Sequence, residues 1–121
     1  MGVKRILVVD DEKPISLYLK KKLEKLGYSV TVAEDGKKAI SDALSQPPDL
    51  ILLDVMLPEL NGIDVCRRLK SEKTTKAIPI IMLSAKAQGE EIEKGLEAGA
   101  DKYLCKPISF PDILNEIKAY E

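Results

Sequence analysis

The sequence contains no histidine and no tryptophan. Without an imidazole there is no His general base, no His-dependent triad and no His zinc site, and the chain cannot itself carry a phosphohistidine. Aromatic residues are scarce, with four tyrosines and one phenylalanine. The two cysteines, Cys66 and Cys105, are too few for a four-thiolate zinc site and do not suggest a disulfide framework. No apolar run approaches the roughly 20 residues of a membrane span. The run Ile6-Leu7-Val8-Val9 is also shorter than a signal h-region. Net charge is −1, from 19 basic and 20 acidic residues, so no basic field marks a nucleic-acid surface. The expectation is a cytoplasmic protein with no membrane partner and no direct nucleic-acid partner.

What is present is an ordinary soluble balance, 45% hydrophobic and 32% charged over 121 residues. Dividing that length by a typical 150 gives about 0.8, so residues 1–121 are expected to form one domain. Such a length buries a core without disulfide or metal staples.

Short β-branched runs alternate with longer amphipathic stretches. Ile6-Leu7-Val8-Val9 reads as a strand buried on both faces and ends in Asp10-Asp11. Pro14 suits a first helical turn. Ile15, Leu19, Leu23 and Leu26 then share one helical face, and Gly27 stops it. Val30 to Ala33 is a second strand. Asp35 caps a helix over Lys37 to Ser45, ended by Pro47-Pro48. Leu50 to Leu53 is a third strand, ending at Asp54. Pro58 and Asn61-Gly62 mark a loop, and Ile63, Cys66 and Leu69 give the next helix its buried stripe. Ile78 to Leu83 is a fourth strand, ending at Ser84. The helix from Glu90 to Ala98 has a thin stripe, Ile92 and Leu96. Gly95 sits inside it at a cost of about 1 kcal/mol relative to Ala. Lys102 to Cys105 is a fifth strand, ending at Lys106-Pro107, and a last helix buries Phe110, Ile113, Leu114 and Ile117.

Strand–helix alternation implies an α/β fold with a doubly wound parallel sheet, whose sites lie at the carboxyl ends of the strands. Those ends gather Asp10, Asp11, Asp54, Ser84 and Lys106. Clustered carboxylates repel one another, and a divalent cation relieves the repulsion. An all-oxygen donor set favours Mg²⁺ or Mn²⁺ over zinc. A metal beside a carboxylate, with a lysine opposite, suits a transferring phosphoryl group. Taken singly, each Asp or Ser reads as a cap or turn residue and Lys106 as a solvated charge. Their coincidence at one sheet edge is what carries the chemistry.

On these residues the chain resembles the receiver domain of bacterial two-component response regulators. The matching stretches are Val8-Val9-Asp10-Asp11-Glu12, Leu53 to Gly62, Leu83-Ser84-Ala85-Lys86, Gly95 to Leu104, and Lys106-Pro107. The resemblance implies a flavodoxin-like receiver fold with strand order 2-1-3-4-5 and five helices. It implies that Asp54 is the phosphoacceptor, taking a phosphoryl group from a sensor histidine kinase. Asp11 and Asp54 would ligate Mg²⁺ with the Met56 carbonyl, and Asp10 would act through a metal-bound water. Lys106 would pair with one phosphoryl oxygen and Ser84 would hydrogen-bond another. Tyr103 matches an aromatic switch position that works with Ser84, and Pro107 a proline that usually follows a cis bond. The switched surface would be the fourth helix, fifth strand and last helix, read by a downstream protein target or phosphotransfer protein. The exposed side of the first helix, near Lys20-Lys21-Lys22, would meet the kinase. Ser84 stands where threonine is commoner, and Asn61 where aspartate is frequent.

Cys66 and Cys105 read as packing residues. An aspartyl phosphohydrolase using Mg²⁺ would need a second acid two positions after its nucleophile, where this chain has Met56. A flavin carrier of the same fold class needs a Ser, Thr and Gly-rich phosphate loop, and Asp10-Asp11-Glu12 would repel that phosphate. The function expected is a signalling phosphoacceptor rather than an enzyme. A stand-alone single-domain regulator is the first expectation, and the receiver portion of a longer DNA-binding regulator the alternative.

Overall fold

The computed structural model describes residues 2–85 and 89–121. Lys86, the last residue of the Leu83-Ser84-Ala85-Lys86 match, lies outside the described residues. Strands and helices alternate: β1 (Arg5–Val9), α1 (Lys13–Lys25), β2 (Ser29–Ala33), α2 (Gly36–Ser45), β3 (Leu50–Asp54), α3 (Gly62–Lys70), β4 (Ile80–Ser84), α4 (Gly89–Glu97), β5 (Lys102–Cys105) and α5 (Phe110–Lys118). The sheet is parallel throughout, in the order β2-β1-β3-β4-β5. That is the order the resemblance implied.

Residues two apart along a strand share a face, and here both faces are covered. Ile6, Val8, Leu50, Leu52, Ile81 and Leu83 pack with Leu19 and Leu23 of α1 and with Ile113 and Ile117 of α5. Leu7, Val9, Ile51, Leu53, Ile80 and Met82 pack on the opposite face with α2 and α3. Each fully buried Leu or Ile contributes about 1.5–3 kcal/mol over an exposed one. Strands apolar on both faces are therefore held between two helical layers.

The helix starts follow local chemistry. Asp35 accepts from the Lys38 N–H at 2.8 Å, Asn61 from the Asp64 N–H at 3.0 Å, and Ser109 from the Asp112 N–H at 3.3 Å. Pro14 falls in the first turn of α1.

Three details differ from the expected elements. β4 begins at Ile80 rather than Ile78, because Pro79 has no N–H for the ladder. The Pro79 carbonyl still accepts from Ile51 N at 3.0 Å. Leu26 leaves the α1 stripe, since the helix ends at Lys25, and is exposed. On α4 the buried residue is Gly95, whereas Leu96 is 46% exposed.

Candidate functional site at the strand ends

The chain runs from β1 outward to β2 and then returns to lay β3 on the other side of β1. The carboxyl ends of β1 and β3 therefore flank the point where the winding reverses, the usual place for a site in such sheets. Asp10 and Asp11 follow β1, and Asp54 closes β3.

Asp10 is 2% exposed and Asp54 4%. One Asp10 oxygen accepts from the Glu12 N–H at 2.9 Å, which folds the turn after β1 back over the strand end. One Asp54 oxygen accepts from the Met56 N–H at 3.1 Å. The remaining oxygens share Lys106, whose Nζ is 3.6 Å from Asp10 Oδ2 and 3.6 Å from Asp54 Oδ2. Lys106 is held by its backbone, whose N–H donates to the Ser84 carbonyl at 2.6 Å. The Lys106–Pro107 peptide is cis.

Burial pushes the Asp54 carboxyl above its ordinary value, and the charges of Asp10 and Asp11 push the same way. The Met56 N–H and the Lys106 ammonium oppose that rise. One ammonium therefore does not fully offset the cost of keeping the Asp54 carboxylate charged out of water. Carboxylate oxygens of Asp10, Glu12 and Asp54 lie within 4.8 Å of one another, close enough to hold one ion. Oxygen donors alone, with negative charge in excess, fit Mg²⁺ or Mn²⁺.

Two of the expected metal ligands, Asp11 and Met56, do not bring a side-chain oxygen into this cluster. Asp11 is exposed and lies outside this cluster of oxygens, although its charge still acts on Asp54. Met56 carries an exposed side chain, and its N–H orients Asp54. Glu12 was expected only as part of the Asp10-Asp11-Glu12 match. Its approach depends on the turn closed by the Asp10 side chain, which spacing alone does not reveal.

The loop after Asp54 is shaped by close backbone contacts. Gly62 N–H donates to the Val55 carbonyl at 2.9 Å, and a Cβ on Gly62 would overlap the Asp54 carbonyl oxygen. Glu59 at the loop tip has φ of 63°, after Pro58. Ser84 ends β4 and is fully buried, one step along from Leu83, the register partner of Asp54. Tyr103 is half-buried on β5, in register with Met82. Cys66 is buried and donates to the Ala98 carbonyl at 3.5 Å, and burial pushes its thiol up to about 11. Cys66 and Cys105 are both free, as packing residues would be.

The sheet thus gathers two buried aspartates and a lysine at its switch point, the strand-end grouping expected from the sequence. Residues 6–118 match the response regulator receiver domain family, and the chain belongs to that family. It is 49% identical over 118 residues to the alkaline phosphatase synthesis transcriptional regulatory protein PhoP of Bacillus subtilis (strain 168). That match takes in 96% of this chain and 48% of PhoP. It is 46% identical over 116 residues to the phosphate regulon transcriptional regulatory protein PhoB of Pseudomonas aeruginosa, across 96% of this chain and 51% of PhoB. The chain thus spans about half the length of the curated relatives it matches. Among solved structures, the Francisella response regulator 1452 receiver domain superposes with a TM-score of 0.89 at 35% identity. That superposition covers 97% of this chain and 95% of the other. Vibrio cholerae chemotaxis protein CheY4 gives a TM-score of 0.92 at 28% identity, covering 99% and 100%.

Proposed function

We propose that Asp54 accepts a phosphoryl group from the phosphohistidine of a sensor kinase. An Asp54 oxygen forms the new O–P bond while the P–N bond to the kinase imidazole breaks. The nitrogen keeps the electron pair and takes up a proton. The product is an aspartyl phosphate, so the chain is a stoichiometric signalling acceptor and not an enzyme acting on an external substrate. The observation that carries this reading is the sharing of Lys106 between buried Asp10 and Asp54, at 3.6 Å from each. Lys106 is placed to stay with the phosphoryl oxygens as their charge grows.

Asp10, Asp54 and Glu12 would hold Mg²⁺, with Asp11 and the Met56 carbonyl as further oxygen donors from the same two loops. When bound, the ion neutralises charge on the phosphoryl oxygens. Ser84 is the hydroxyl closest in register to Asp54, and it donates to another phosphoryl oxygen. Tyr103 then responds to Ser84.

The kinase docks along α1. A groove of about 680 Å³ between α1 and the segment after β5 is lined by Pro14, Ile15, Tyr18, Pro107 and Phe110, and Lys106 is part of the same lining. Lys22 stands over the rings of Tyr18 and Phe110, at 6.0 and 5.4 Å. An apolar helix surface entering this groove would bring its phosphohistidine towards Asp54. The output is read from α4, β5 and α5 by a downstream protein or phosphotransfer partner.

The lengths of PhoP and PhoB favour the receiver portion of a longer transcriptional regulator over the stand-alone regulator expected first. Among the described residues no helix is long and apolar enough to cross a membrane.

The acyl phosphate offers a direct test. Phosphorylation with acetyl phosphate, followed by borohydride reduction and peptide mass spectrometry, should find homoserine at position 54. Homoserine elsewhere, with residue 54 unchanged, would overturn the assignment.

A further inference from the structure

We infer that Gly95 is the positioning residue that admits the Tyr103 ring beneath α4, and so lets that ring respond to the state of Asp54. The second half of this inference rests on the acceptor function proposed above. The first half is a statement about packing and stands on its own.

Gly95 is the one buried residue among the described residues of α4. A Cβ built there would lie 2.8 Å from Tyr103 Cδ2, 3.0 Å from Tyr103 Cε2 and 2.9 Å from Met82 Sδ. Such distances are shorter than side-chain packing accepts, so a neighbour must move. Met82 has little room to do so. It is fully buried in β4 and pairs in register with Tyr103. The ring is thus seated between the Met82 sulfur and the bare backbone of the helix.

The helix is also restrained at its C-terminal end. The Ala98 carbonyl accepts from Cys66 Sγ at 3.5 Å. Just beyond, Asp101 pairs with Lys70 Nζ at 3.1 Å and accepts from Ile80 N at 2.8 Å. Lys70 Nζ further donates to the Ile78 carbonyl at 2.7 Å. These contacts tie the α4–β5 connection to α3 and to the start of β4. A Cβ at residue 95 therefore displaces the ring more readily than it lifts the helix.

The seat is connected to the site through one face of β4. Met82 and Ser84 are two residues apart, so they share a face. Their register partners, Tyr103 and Cys105, share the corresponding face of β5. A change at Ser84 reaches the floor of the Tyr103 seat along one strand. Glycine at position 95 keeps that seat open at the expense of helix propensity.

The packing claim is tested by a thermal-unfolding cycle on wild type, Gly95→Ala, Tyr103→Ala and the double variant. Gly95→Ala should lower the melting temperature clearly more when Tyr103 is present than in the Tyr103→Ala background, where Met82 can move into the space the ring leaves. An equal change in both backgrounds would overturn the seat. The coupling claim is tested with beryllofluoride, an analogue of the phosphoryl group, in the full chain. Fluorine NMR should show wild-type occupancy of Asp54 in Gly95→Ala, while the Tyr103 amide shift falls below a quarter of its wild-type change. A full Tyr103 response in Gly95→Ala would overturn the coupling. Failure of beryllofluoride to bind wild type would overturn the acceptor function and the coupling with it, and the unfolding cycle would still decide the seat.

Discussion

The carbonyl oxygen of Asp54 occupies the space where a Cβ on Gly62 would have to sit. The start of α3 is thereby packed directly on the end of β3, and the loop between them is closed by the Gly62 N–H on the Val55 carbonyl at 2.9 Å. Gly62→Ala should therefore lose about 1–3 kcal/mol of stability, despite alanine's better helix propensity. Urea unfolding measures this. A gain in stability would mean that the loop has room to relax.

Two aspartates should titrate with opposite signs. Burial raises the Asp54 pKa above its ordinary 3.8. The stability linked to its protonated form is complete below that value and is lost as pH rises through the folded-state value. In metal-free buffer, Asp54→Asn should thus exceed wild type at neutral pH and converge with it in acid. Asp49 behaves the other way. The Arg5 backbone N–H, aided by that of Lys4, holds its carboxyl below the ordinary 3.8. Its stabilisation is present above 3.8 and is lost as pH falls through the lower folded-state value. Asp49→Ala should be less stable than wild type at neutral pH and equal to it in acid. Melting temperatures across pH check both, and the same sign for the two variants would contradict the electrostatics described.

Magnesium should stabilise the native state by mass action, about 2.7 kcal/mol at 100 times its Kd. Asp11→Ala should be neutral or stabilising without metal and should weaken the magnesium-induced shift. Glu12→Gln should weaken that shift, since a Glu12 oxygen lies within 4.8 Å of those of Asp10 and Asp54. Thermal melts with and without Mg²⁺ measure both, and wild-type shifts in both variants would remove these side chains from the ion's surroundings.

Much of this was legible in the sequence, for identifiable reasons. Strands apolar on both faces announce a covered parallel sheet, and Asp35 and Asn61 mark helix starts that their side chains do cap. Asp54 and Lys106 come together because strand ends in one sheet converge. The expected α4 stripe is not the buried face, since Leu96 is 46% exposed. A thin apolar pattern gives way there to a glycine whose value lies in what it leaves room for. Glu12 is not legible from periodicity, because its position depends on the hydrogen bond that its backbone N–H donates to the Asp10 side chain.

Ser84→Ala should still accept a phosphoryl group yet respond poorly. One hydroxyl donating to a charged acceptor supplies roughly 1.5–3 kcal/mol, about a 10- to 100-fold bias between two states. With beryllofluoride, wild-type amide shifts should extend from Asp54 to α4 and Tyr103. In Ser84→Ala they should stay near Asp54. A full wild-type pattern at Tyr103 would show that the hydroxyl is not the trigger.

The central claim is that the Asp54 carboxylate is the phosphoryl acceptor and that it needs a divalent cation. Labelling with radioactive acetyl phosphate tests it most directly. Wild type with Mg²⁺ should incorporate label, wild type with EDTA should not, and Asp54→Ala should not under either condition. Equal labelling of wild type and Asp54→Ala would contradict the account.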